Sequence, residues 1–141
     1  MVYVSERKQC RQFELLELLT SEYECGLVAW RYPESKAYQL LGMPIISNKP
    51  PLEPVTTYEN STDSKRTDLI EITSNTFFEI AKNAGNLKRH CDSLALYKPQ
   101  ETEWFACTIG HEGMCLVRED AVIEMLAARG FNATKEAPAW W

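Results

Sequence analysis

Residues 93–118 read SLALYKPQETEWFACTIGHEGMCLVR, and this stretch decides the fold. Within it, residues 93–98, 103–109 and 114–118 carry the apolar, β-branched and aromatic runs of strands. Pro99-Gln100-Glu101 supplies a turn between the first two runs, and Gly110-His111-Glu112-Gly113 a turn between the last two. Connections this short join antiparallel neighbours, because a parallel pair needs a crossover of a dozen residues or more. The expectation is an antiparallel meander, and with it an α+β fold.

Working outward, a final helix is predicted over 121–129, capped by Asp120 and ended by Gly130, with Val122, Ile123, Met125 and Leu126 on its apolar face. Upstream, Leu69, Ile70, Thr73, Phe77, Ile80, Ala81 and Ala84 keep helical spacing up to Gly85-Asn86. The start of that segment also reads as a short strand, since Ile70 and Ile72 alternate with polar neighbours. Residues 47–67 are poor in apolar positions and are expected to form a long surface loop; Pro51-Leu52-Glu53-Pro54 within it is read as linker. At the front, residues 6–19 form a helix with Ser5 as cap and Cys10, Phe13, Leu15, Leu16, Leu18 and Leu19 on a wide apolar face. Residues 23–32 and 37–46 then read as a strand hairpin, its second arm interrupted by Gly42 and Pro44. The sum is one domain spanning 1–141: an antiparallel sheet of about five strands, three helices packed mainly on one face, and a C-terminal tail over 131–141.

The order α-β-β-β-α over residues 69–130 is similar to that of double-stranded-RNA-binding domains. That resemblance implies phosphate contacts, which need cations. From His90 to Gly130, however, there are seven acidic residues and three basic ones, with Arg118-Glu119-Asp120 where lysines would be wanted. The net charge of −5 and the absence of a basic run longer than Lys88-Arg89 argue the same way for the whole chain. Nucleic acid is therefore not the expected partner. No window approaches the roughly 18 consecutive apolar residues of a membrane span, and the amino-terminal Met1-Val2-Tyr3-Val4-Ser5-Glu6-Arg7-Lys8 has no signal-peptide core. Five irregularly spaced cysteines then suggest free thiols in a reducing, cytoplasmic setting.

Chemistry-bearing side chains crowd between His90 and Cys115. Cys107-x3-His111-x3-Cys115, completed by His90 or Cys91, offers a zinc set or a thiol nucleophile with a histidine base. Register decides between uses. A four-residue loop over 110–113 pairs Ile109 with Met114 and puts Cys107 and Cys115 on opposite faces of the sheet; a three-residue loop with a bulge at Gly113 brings them opposite one another. Buried structural thiols are the expectation, with no catalytic residue, metal or cofactor assigned. Glu101 with Glu103 and Glu119 with Asp120 are paired carboxylates that helix-capping and surface roles explain.

An acidic chain without a catalytic motif suits steering toward a basic protein. The expected function is a small binding protein that inhibits or neutralises a macromolecular partner, as immunity proteins, antitoxins and phage-encoded inhibitors do. Its contact residues would be Glu101, Glu103 and Glu112 with the terminal Trp140 and Trp141, which either dock back on the sheet or anchor a partner or a second copy of the chain. The alternative is a small Cys/His enzyme or zinc-dependent regulator built on Cys107, His111 and Cys115.

Overall fold

The strand runs at the centre of the sequence assemble into one antiparallel sheet. The computed structural model describes residues 1–32, 44–47, 51–55 and 65–140. In chain order the elements are β1 (Val2–Ser5), α1 (Gln9–Glu22), β2 (Gly26–Arg31), β3 (Ile45–Ser47), β4 (Lys65–Arg66), β5 (Leu69–Glu71), α2 (Thr76–Lys82), α3 (Ala84–His90), β6 (Cys91–Tyr97), β7 (Ala106–Ile109), β8 (Met114–Val117), a 3-10 turn (Asp120–Val122), α4 (Ile123–Ala128) and β9 (Ala133–Thr134). The strands lie in the order β3-β5-β2-β6-β7-β8-β1-β9, with the two-residue β4 beside β2 off that path.

Mixed α+β architecture and antiparallel pairing agree with the sequence reading; the element count does not. Among the described residues, eight strands along the path replace the expected five or so, and four helices replace three. The additional strands are short ones whose partners are distant. β1 pairs with β8 from Val2↔Val117 to Ser5↔Met114, and with β9 at Tyr3↔Thr134 and Val4↔Ala133. Ser5 is thereby used in the ladder and does not cap α1, which begins at Gln9. Asp120 is likewise no cap: its carboxylate takes the amino-terminal ammonium at 2.9 Å and Lys135 at 3.2 Å. The segment expected as one helix from residue 69 opens as β5 and then divides at Asn83 into α2 and α3, so Gly85 and Asn86 lie inside a helix instead of ending one.

The expected hairpin of residues 23–32 with 37–46 is also revised. β2 pairs with β5, β4 and β6, while β3 pairs with β5; residues 33–43 lie outside the described residues. So do most of 47–67, but 51–55 is no plain surface loop, since Leu52 and Val55 are buried. β9 adds the start of the expected tail to the sheet edge.

Side-chain alternation sends each strand's apolar residues to two separate cores. On one face Val4, Leu27, Ala29, Leu94, Leu96, Cys115 and Val117 meet Phe13, Leu15, Leu16 and Leu19 of α1, Phe77 and Ile80 of α2, Leu87 of α3 and Leu126 of α4. On the other, Val28, Trp30, Ala95, Tyr97, Trp104, Cys107, Ile109, Met114 and Leu116 meet Leu52 and Val55. All the helices use the first face. With both faces covered, β2 and β6 are buried almost end to end. Each fully buried Leu contributes roughly 1.5–3 kcal/mol.

A hydrogen-bonded relay holds residues 51–55 to the second face. Trp30 Nε1–H donates to the Tyr97 hydroxyl (2.8 Å), and Tyr97 donates to the Glu53 carbonyl (2.8 Å). Glu53 N–H reaches the Thr102 carbonyl at 2.7 Å. Among the described residues, no helix is long and apolar enough to cross a membrane.

Candidate functional site

The β7–β8 hairpin takes the four-residue register: Ile109 pairs with Met114, Cys107 with Leu116 and Thr108 with Cys115. Gly113 makes this turn with φ +66°, in the left-handed region that side chains resist, and a Cβ there would lie 2.7 Å from Arg7 Cγ. Cys107 consequently packs with Trp30 and Tyr97, and Cys115 with the helices on the opposite face; both are 0% exposed. His111 sits at the tip, beyond both. The structure therefore does not bring Cys107, His111 and Cys115 together as a metal or catalytic set. Burial drives the thiols of Cys107 and Cys115 well above their ordinary range and that of Cys91 up to about 12, which leaves them protonated and unreactive at neutral pH. Among the described residues no three His, Cys, Asp or Glu side chains converge to hold a metal.

His111 has a different partner. β6 carries an extra residue opposite β2, since Trp30 pairs with Ser93 and Arg31 with Cys91. The extra residue is Asp92, and this bulge turns its carboxylate onto the hairpin tip. His111 Nδ1 meets Asp92 Oδ1 at 2.5 Å, the Tyr32 hydroxyl donates to the same oxygen at 3.1 Å, and His111 N–H points to it at 3.4 Å. Gly110 N–H donates to the Asp92 carbonyl at 2.9 Å; a Cβ on Gly110 would come within 3.1 Å of that oxygen, so glycine permits the close approach. Asp92 has no side-chain exposure. It acts as acceptor, which makes Nδ1 the donor and turns Nε2 toward Glu112 Oε1, 3.6 Å away. An imidazole fixed in orientation and tautomer by a buried carboxylate is equipped to hydrogen-bond a ligand or relay a proton. Beside it opens a cavity of about 280 Å³, between the start of α1, the end of α3 and the head of β6.

The other end of the sheet is electrostatically opposite. Lys98 lies over the Phe105 and Tyr23 rings (4.4 and 5.0 Å) and 3.8 Å from Glu119. Arg118 stacks on Trp104 and grips Glu53 through both terminal nitrogens (2.7 and 3.0 Å), with Glu103 at 3.2 Å. Burial, then Glu119 and Glu22, raise the Tyr23 phenol. Burial is also the main cause lifting Cys25 to about 11; Lys98 opposes it, and Glu101 and Glu24 add to it. Glu22, Glu24, Glu53, Glu101, Glu103 and Glu119 thus lie at the end of the sheet that holds Lys98 and Arg118.

Of the five expected contact residues, Glu101 and Glu103 belong to this acidic end and are exposed. Glu112 does not: it stands at the hairpin tip, at the far end of β7 and β8, half-buried beside His111. Trp140 is 61% exposed, and Trp141 lies outside the described residues. Sequence reasoning passed over Asp92, Tyr32 and the Arg118–Glu53 grip. Asp92 did carry a signal, as the lone charge in the run Cys91-Asp92-Ser93-Leu94-Ala95-Leu96-Tyr97. Comparison with protein-family models, curated proteins and solved structures finds no match to this chain.

Proposed function

We propose that this chain is a small cytoplasmic binding protein that inhibits or neutralises a basic macromolecular partner, in the manner of immunity proteins, antitoxins and phage-encoded inhibitors. The observation that carries the reading is the gathering of Glu22, Glu24, Glu101, Glu103 and Glu119 at one end of the sheet, with Lys98 and Arg118 held against aromatic rings among them. Such a field speeds encounter with a positively charged surface and repels acidic competitors. Trp140, exposed beyond Lys135, supplies an aromatic anchor of the kind that dominates interface energies. Five free thiols fit a reducing compartment. Burial of Cys107 and Cys115 on opposite faces removes the support for a thiol enzyme or a zinc regulator.

The test is affinity capture from the native cell at moderate salt, with the double charge reversal Glu101→Lys and Glu103→Lys alongside. The expected result is one stoichiometric basic protein whose association rate falls about tenfold or more in the reversed variant and at raised salt. Capture of no stoichiometric partner, or capture indifferent to the reversal, counts against the reading.

A further inference from the structure

The cavity at the hairpin tip is a second site, independent of the acidic end. Its apolar wall is Phe13, Leu87 and Leu94, and its polar wall is Ser93, Asp92 and His111. One feature marks it as built for a ligand. The bulge at Asp92 and the tight passage at Gly110 exist at the cavity wall, where they hold the His111 ring to a buried carboxylate. Bulges concentrate where a side chain must be re-aimed for function.

Charge selects the occupant. Arg7 and Lys88 line the cavity, and neither has an ion-pair partner among the described residues. The one carboxylate in the lining, Asp92, is engaged by Tyr32 and His111. The surplus is positive in a chain that is acidic overall. The volume, about 280 Å³, falls at the lower limit of small-molecule pockets. We propose that this cavity binds a small organic anion: an apolar body of about one ring against Phe13, Leu87 and Leu94, with a carboxylate or phosphate monoester head toward Arg7 and Lys88.

The experiment is an amide-resolved NMR titration of the full chain with benzoate and with phenyl phosphate, and with inorganic phosphate as a head group lacking the body. The expected result is saturable shifts of Ser93, Gly110 and His111 with at least one of the two aromatic anions; the tighter of them identifies the head group. Arg7→Gln with Lys88→Gln, both surface changes that leave the fold intact, should weaken that binding about tenfold or more. The inference is overturned if neither aromatic anion gives saturable shifts at these amides, if inorganic phosphate binds as tightly as phenyl phosphate, or if the double variant binds like the parent.

Discussion

The guanidinium of Arg118 lies over the Trp104 ring, 3.7 Å from its centre, against a residue that is itself only 7% exposed. Stacking leaves the edge of the guanidinium to meet Glu53 with two nitrogens, so one side chain joins β8's end to the strap over the second sheet face. Burial alone would lower the Arg118 pKa; the Glu53 bond, the largest influence, raises it above the ordinary value.

Arg118→Ala should cost about 1–2 kcal/mol in chemical denaturation, the sum of a part-buried cation–π contact and a partly screened ion pair. Arg118→Lys should recover little of it, because an ammonium neither stacks as a plane nor binds a carboxylate through a fork. Full recovery by lysine would mean that charge alone matters there.

Tyr97→Phe removes the middle of the relay from Trp30 to Glu53 and strands a donor and an acceptor in a buried setting. The expected loss is about 1–3 kcal/mol. Faster amide exchange around residues 51–55 should accompany it, since the strap loses its bond to the sheet.

Asp92→Ala deprives both the Tyr32 hydroxyl and the His111 ring of their acceptor. A loss of about 2–3 kcal/mol is expected by urea unfolding. The His111 ring resonances should broaden or move in the same variant, and a stable protein with an unchanged His111 spectrum would refute the assigned contact.

The thiols predict an alkaline limit. Cys25 and Cys91 titrate at about 11 and about 12 in the folded chain against an ordinary 9.0. Their pKa values are raised by folding, so the folded state holds its protons longer. Stability is complete below pH 9 and is lost as pH climbs through 9 toward 12, by about 1.4 kcal/mol per pH unit per thiol. At neutral pH a thiol reagent should label exposed Cys10 quickly and the other four only on unfolding. Rapid labelling of Cys107 or Cys115 in the native protein would contradict their burial.

How much of this was legible depends on how local each signal is. The meander of β6, β7 and β8 could be read directly, because Gly110 to Gly113 and Pro99 to Glu101 punctuate runs whose neighbours in sequence are neighbours in space. The apolar faces of α1 and of the final helix were legible for the same reason, except that Cys10, expected on the α1 face, is exposed. β1 was not: Val2, Tyr3 and Val4 are too few to show a period, and they become a strand because Leu116 and Ala133 wait more than a hundred residues away. Nor was the Asp92 bulge, which is a mismatch of register between β2 and β6 and so belongs to neither segment alone. The separation of Glu112 from Glu101 and Glu103 was not legible either, because charge composition has no direction; the hairpin's length sets which end of the sheet each occupies.

The placement of β1 between β8 and β9 carries a kinetic consequence. Its first neighbour is not synthesised until residues 114–117 leave the ribosome, and its second not until 133–134. β1 is therefore made long before either neighbour, and stays unpaired while α1 and β2 condense behind it. Pairings this distant in sequence slow folding, and a chaperone that shelters an unpaired amino-terminal strand would be expected to raise the yield more than one that acts on the finished core.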